Sequence, residues 1–260
     1  MHANEFSLPQ GTVAFSRALP EHIYTLITGG RAPAADWLAK SLRGELWAID
    51  HGVDLCYAMK RVPDFLLGDA DSASAAAWDW ALAAGVVSEH FNAKKDLTDT
   101  QLALSKIKAS SPAAFVLLTG AFGGRFDHAM STIFSCAFSG IPMILADEKE
   151  ACFFLHETDS LSFTALKKPK AISLLSLTGE CRGLFGMAAR RCYLASGFAL
   201  RREQRACSRQ LLLPRAPARR DTRRLPLLAV TAKAAPHACR FVEDERRRRR
   251  DIERFRPAEH

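Results

Sequence analysis

The chain has 260 residues, 48% of them apolar, and a formal net charge of +8, so it reads as globular, with material for one large domain or two ordinary ones. No run of about 18 apolar residues is present, and the opening MHANEFSLPQ lacks the basic-then-apolar order of a secretory signal, so a cytoplasmic protein is the expectation. The cysteines at 56, 136, 152, 181, 192, 207 and 239 form no C-x-x-C pair and mostly lie in apolar segments. They are expected to be buried free thiols rather than disulfides or a zinc site.

The net charge is not a property of the whole chain. Up to Leu184 there are 16 Lys+Arg against 20 Asp+Glu, a balance of −4; from Phe185 onward the count is 20 against 8, or +12. Lys outnumbers Arg 10 to 6 in the first part, whereas the last 76 residues hold one Lys, Lys233, and 19 Arg. A shift of this size marks a boundary.

From Ile23 short apolar runs alternate with helical patterns. IYTLITGG predicts a strand closed by Gly29 and Gly30, and PAADWLAKSLRG a helix opened by Pro33 and stopped by Gly44. ELWAID, DFLLGD, GVVSEHF, AAFVLLTG and IPMILAD predict five further strands, with helices over 74–84, 99–109 and 125–139 between them. Strands that are apolar throughout and alternate with helices imply a parallel sheet covered on both faces. After Asp147 the segments ACFFLH, SLSFTA and AISLLSLTG follow one another without a helix, predicting an antiparallel β region from near residue 150. The expected fold class is α/β, a Rossmann-like parallel sheet with helices on both faces, followed by a smaller β-sandwich domain. Residues 1–148 would form the α/β domain, 149–184 the start of the β-rich domain, and 185–260 an Arg-rich tail.

In an open parallel sheet, ligands bind beyond the carboxyl ends of the strands. The second predicted strand ends in Asp50, followed by His51 and Gly52; the third ends in Gly68, Asp69, Ala70 and Asp71. The fourth is followed by Lys94, Lys95, Asp96, Thr98 and Asp99, and the fifth runs into Gly123, Gly124, Arg125, Asp127 and His128. Taken singly, each has an ordinary explanation: Ser72, Thr98 and Asp99 sit where helix N-caps would, Arg125 and Asp127 could be a local ion pair, and His51 and His128 are polar residues beside turns. Trp78 and Trp80 are expected in the core. Taken together, four or five carboxylates on one edge would repel one another unless paired or metal-bound. Asp69 and Asp71, two apart on an extended segment, would face one spot. Hard oxygen donors without a His/Cys cluster suit Mg²⁺, which borrows phosphate oxygens as further ligands. Gly29, Gly30, Gly123 and Gly124 would admit phosphates close to the backbone, with Arg125 as a forked partner. Phosphoryl or pyrophosphoryl transfer is the class these features favour. The pattern G-x-x-x-x-G-K-[ST] is absent, which excludes a P-loop enzyme.

Four motifs in order, IDHGV, GDADS, KKDLTD and GGRFDH, together with LLSLTGECRG further on, resemble the thiamine pyrophosphokinase family over roughly residues 23–183. The resemblance implies an enzyme, thiamine diphosphokinase, that moves the terminal pyrophosphate of ATP to the thiamine hydroxyl, giving thiamine diphosphate and AMP. It implies Mg²⁺ held by Asp69, Asp71 and Asp99 with Asp50 beside them, and Asp71 and Asp99 as catalytic acids, Asp71 foremost as proton acceptor. It implies ATP and phosphate contacts at Gly29, Gly30, Lys95, Asp96, Thr98, Gly124, Arg125, Asp127 and His128. It further implies a homodimer with thiamine held between subunits and by a β-rich carboxyl domain. The sequence departs from the family pattern at Ala70, where an aromatic is usual, and at His51, where a glycine is usual; the Trp-containing strand and late Ser-Asn segment that would line the thiamine pocket are not found after Gly183.

The tail, with Arg246 to Arg250 uninterrupted, admits three readings: a contact for nucleic acid or another acidic surface, a solvated, disordered tail or exposed helix, and the product of an altered reading frame near residues 183–186. Two alternatives to the enzyme accompany them: an inactive or weakly active relative that binds nucleotide only, and a basic nucleic-acid-interacting protein acting through the tail.

Overall fold

The computed structural model describes residues 3–91, 97–156 and 159–177, and the backbone of three further strands at 182–188, 191–199 and 228–233. In chain order the first elements are β1 (Glu5–Leu8), β2 (Gly11–Phe15), β3 (His22–Ile27), α1 (Ala35–Ser41), β4 (Glu45–Ile49), α2 (Gly52–Ala58), β5 (Phe65–Gly68) and α3 (Ala75–Ala83). Next come β6 (Val87–His90), α4 (Asp99–Ser110), β7 (Ala114–Thr119), α5 (Phe126–Phe138), β8 (Met143–Ala146), β9 (Glu150–Leu155) and β10 (Ser160–Ala165). The last are β11 (Ala171–Ser176), β12 (Arg182–Ala188), β13 (Arg191–Ala199) and β14 (Leu228–Lys233). The strands and helices read from the sequence between Ile23 and Asp147 all form. The hairpin β1–β2 and helix α2 were not read: the hairpin precedes the first strong apolar run, and α2 is only seven residues long.

Nine strands form the central sheet in the order β11-β14-β9-β8-β7-β3-β4-β5-β6. The six from β8 to β6 are parallel, and β9 joins β8 antiparallel. Successive residues of β7 alternate between two cores: Phe115 and Leu117 pack with α1, α2 and α3 on one face, whereas Ala114, Val116 and Leu118 pack with α4 and α5 on the other. This is the period of two that a strand buried on both sides requires.

The antiparallel region expected after residue 150 divides between two sheets. β9, β11 and β14 extend the central sheet, while β10, β12 and β13 join the N-terminal hairpin in a five-stranded antiparallel sheet ordered β1-β2-β10-β13-β12. Phe6, Val13, Leu161 and Phe163 of this second sheet belong to the same apolar cluster as Phe115 and Phe153 of the first. The ring centroids of Phe6 and Phe115 lie 5.2 Å apart, and those of Phe153 and Phe163 lie 5.4 Å apart. Of the tail from residue 185, strand backbone is described in β12, β13 and β14; the Arg246–Arg250 run lies outside the described residues. Cys56, Cys136 and Cys152 are buried free thiols, and burial pushes the Cys56 thiol up to about 12. The other four cysteines lie outside the described side chains.

Phe115 is fully buried and carries both Phe6 and, edge-on at 5.9 Å, Phe15. Phe115→Ala is expected to destabilise the protein by about 3–5 kcal/mol through lost burial and the cavity left behind, read as a lower urea midpoint with little change in slope.

Candidate active site

The chain leaves β3 toward β4, β5 and β6 on one side and later returns to place β7 on β3's other side. The order therefore reverses between β3 and β7, and the loops after these two strands diverge to α1 on one face and α5 on the other. Such a reversal opens a crevice at the carboxyl end of the sheet. The two loops are joined backbone to backbone: Thr28 N–H donates to the Thr119 carbonyl at 2.9 Å, Gly30 N–H to Gly120 at 2.8 Å and Arg31 N–H to Phe122 at 2.6 Å. A Cβ on Gly30 would lie 2.1 Å from the Gly120 oxygen, so only glycine allows this approach. Gly124, at φ +68°, turns the second loop into α5.

Beside this crevice, at the ends of β4 and β5, are the acids. Among the described residues, Asp50, Asp69 and Asp71 form a group in which one carboxylate oxygen from each lies within 4.8 Å of the other two. They do not meet by sharing a strand face, as their spacing suggested. β5 ends at Gly68, and Ala70 adopts φ +60°, so a left-handed turn brings Asp71 N–H to donate to Asp69 Oδ1 at 3.2 Å. Asp50 is itself left-handed at φ +51°, a conformation Asp tolerates better than most residues. Its backbone is anchored by N–H donation to the Leu67 carbonyl at 2.7 Å.

Helix α2 then holds the acidic loop in place. Ser72 Oγ donates to Asp50 Oδ2. His51 Nδ1 lies 3.1 Å from the Ser72 carbonyl and 3.0 Å from Asp54 Oδ2. Ser74 N–H donates to both Asp54 oxygens at 3.2 and 3.3 Å, and Ser74 Oγ caps α3 by accepting from Ala77 N–H at 3.3 Å. Ser72, read as a cap, instead bonds Asp50. Asp54 was overlooked because α2 was not recognised; its position four residues after Asp50 was the available signal.

The charge arrangement leaves a place for a cation. Asp50 Oδ1 is buried and has no hydrogen-bond partner among the described residues, an expensive state for a carboxylate oxygen unless something positive meets it. The Asp71 carboxyl is held above the usual carboxylate range, chiefly by its hydrogen bond with Asp69 and that neighbour's charge, with further contributions from desolvation, Asp50 and Asp99. The Asp99 charge is thus felt at Asp71, although Asp99 opens α4. The donor set, all carboxylate oxygen, fits a hard divalent ion such as Mg²⁺.

The remaining expected residues divide into three groups. Thr98 is a helix cap: it accepts from Gln101 N–H at 3.3 Å while Gln101 Oε1 accepts from Thr98 N–H at 2.9 Å. Arg125 and Asp127 pair with each other at the start of α5, Nε to Oδ1 at 3.1 Å and Nη2 to Oδ2 at 2.5 Å. That pair lies on the surface, with His128 exposed beside it; the hydrogen bond from Arg125 holds Asp127 below the ordinary carboxylate range. Lys95 and Asp96 lie outside the described residues. Trp78 is buried in the core, and Trp80 packs partly buried against it.

Fold and site together define a class: an α/β protein with a largely parallel central sheet, a glycine-lined crevice at its strand reversal and, beside it, a group of three carboxylates that could hold a metal ion. Residues 42–145 match the family model described as thiamin pyrophosphokinase, catalytic domain, the family that the motifs resemble. Thiamine pyrophosphokinase 1 of Oryza sativa subsp. japonica is 33% identical over 110 residues, which are 39% of this chain and 41% of the relative. The chain thus aligns with about two fifths of that relative's length. Among solved structures, thiamine pyrophosphokinase from Bacillus subtilis superposes with a TM-score of 0.61 at 14% identity, over 82% of this chain and 100% of that one. The yeast enzyme superposes at 0.55 and 13%, over 82% and 86%. At these identities the superpositions show a shared fold.

The raised Asp71 pKa has a signed consequence for stability. The folded state binds that proton more tightly than the unfolded state, so the repulsion is absent below the unfolded Asp pKa and fully felt above the folded one. In metal-free buffer, the melting temperature of Asp71→Asn relative to the parent is therefore expected to rise as the pH increases through the range just above the ordinary Asp value. Mg²⁺ should narrow this difference by stabilising the parent. A pH-independent difference in differential scanning fluorimetry would contradict the assignment.

Proposed function

We propose that this chain is a thiamine pyrophosphokinase, transferring the terminal pyrophosphate of ATP to the hydroxyl of thiamine to give thiamine diphosphate and AMP. The observation that carries the reading is the orphaned, buried Asp50 Oδ1 inside a cluster of three carboxylates, beside a glycine-lined crevice at the strand reversal. In this reading Asp50, Asp69 and Asp71 hold Mg²⁺, with Asp99 beside them. The bound ion supplies charge neutralisation for the phosphates.

The protein's own part is positioning and proton handling. Backbone around Gly29, Gly30 and Gly124 gives the phosphates close access, and Arg125 exchanges its surface partner Asp127 for a phosphate oxygen. Lys95, Asp96, Thr98, Asp127 and His128 complete the nucleotide contacts. Asp71 accepts the thiamine hydroxyl proton as the oxygen attacks, a role suited to a carboxylate whose proton affinity is raised by its neighbours; Asp99 assists it electrostatically.

The functional division proposed here gives residues 1–148 to ATP and Mg²⁺ and residues 149–184 to the start of a β-sandwich that contributes to thiamine binding. Within the Arg-rich residues 185–260, β13 pairs with β10 and β14 lies between β9 and β11 of the central sheet. A homodimer working in the cytoplasm completes the proposal. No helix among the described residues is long and apolar enough to cross a membrane.

The test is thiamine-dependent AMP production by the full chain with ATP and Mg²⁺. AMP and thiamine diphosphate should appear together and fall on the order of 10²-fold or more in Asp71→Asn. Binding of ATP without any thiamine-dependent AMP would instead identify a nucleotide-binding relative.

A further inference from the structure

Arg31 follows the first glycine pair, yet its guanidinium is not free to meet a phosphate. Its Nε donates to Asp147 Oδ2 at 2.8 Å, and its Nη2 donates to the same oxygen and to Glu150 Oε1 at 2.6 Å. The guanidinium carbon lies 5.8 Å from the centroid of the Phe122 ring, in the loop after β7. Burial works against the Arg31 charge, but its hydrogen bonds to Glu150 and Asp147 outweigh this and hold its pKa above the ordinary value.

Asp147 is the buried centre of this network, at 1% exposure. Its second oxygen, Oδ1, accepts from Lys149 N–H at 2.8 Å and Glu150 N–H at 2.9 Å, closing the turn between β8 and β9. Its carbonyl accepts from Gln10 Nε2 at 2.9 Å, and Gln10 Oε1 accepts from Trp37 Nε1 at 2.6 Å. Next to it, Glu148 Oε2 accepts from Ala34 N–H at 2.9 Å. Asp147 and its neighbour Glu148 therefore tie the β8–β9 turn to the N-terminal hairpin and to α1 and, through the Asp147 carboxylate and Arg31, to the crevice.

Arg31 touches both walls of that crevice. Its main-chain N–H reaches the Phe122 carbonyl at 2.6 Å, and its side chain lies over the Phe122 ring. We infer that Arg31, clamped by Asp147 and Glu150, is a positioning residue that locks the Gly29–Arg31 loop to the Gly120–Gly124 loop and so presents their backbone to phosphate. Its charge is already neutralised by two carboxylates, which assigns it to holding the loops rather than contacting the nucleotide. The loop-locking stands on the geometry alone; the effect on nucleotide rests on the reading of this crevice as the phosphate side.

The experiment uses the full chain and two variants. Arg31→Lys keeps the charge but loses the fork, and the double variant Arg31→Met with Asp147→Asn removes the charges of the Arg31–Asp147 pair, leaving unpaired only the Glu150 carboxylate, which is partly exposed. Hydrogen exchange of peptides covering residues 28–31 and 120–124 should accelerate at least tenfold in both loops together, with peptides from α4 unchanged. The KM for ATP should rise about tenfold in Arg31→Lys while that for thiamine stays within twofold. Unaltered exchange in residues 120–124 of either folded variant would overturn the locking role. Accelerated exchange with an unchanged KM for ATP would overturn the presentation of backbone to phosphate. A parent chain that binds no ATP with Mg²⁺ would refute the proposed function instead, leaving the exchange result to decide the lock.

Discussion

The pairing of β3 with β7 is the constraint on which the rest of the structure depends. It is made at the end of a long excursion through β4, β5 and β6, and it leaves two adjacent parallel strands whose loops must part to opposite faces of the sheet. The crevice follows from that parting. Because β4 and β5 lie immediately to one side, the turns that end them bring Asp50, Asp69 and Asp71 within reach of the same edge. Loss of the β3–β7 register would move the glycine loops and leave the acids facing water.

Two polar assemblies brace this edge from opposite sides. On the acid side Ser72, His51 and Asp54 bind the loop after β5 to the first turn of α2, so carboxylates that repel one another are held by hydrogen bonds to their neighbours. On the glycine side Arg31, Asp147 and Glu150 join the β3 loop to the β8–β9 turn. Both are networks in which each buried polar group finds a partner, with one exception. Asp50 Oδ1 is buried without a hydrogen-bond partner among the described residues, and unsatisfied groups of this kind call for a ligand or ion to complete them.

Most of the α/β region was legible from local pattern. β7, apolar from Ala114 to Leu118, read as a strand buried on both faces, and Thr98 and Asp99 sat where the cap that opens α4 would be. The positions of Asp50, Asp69, Gly30 and Arg125 at strand ends followed from those elements. Less legible was how the acids meet. The positive φ of Ala70, which the tertiary setting imposes on a residue with no preference for it, replaced the shared strand face that spacing implied. The N-terminal hairpin was invisible for a related reason: β1 and β2 are short and half polar, and β2 joins the second sheet by pairing with β10, about 150 residues away.

The amino-acid sequence by itself determined the kinds and order of the elements from Ile23 to Asp147 and the residue types at their ends, because helix and strand periodicity are properties of neighbours a few positions apart. Only the tertiary structure decided which strands lie side by side, that β9 continues the central sheet while β10 leaves it, and that Arg31 turns back to Asp147 rather than outward. Several of these outcomes depend on contacts between residues about 90 to 150 positions apart, selected by the shared burial of apolar faces and the pairing of charges that burial would otherwise strand.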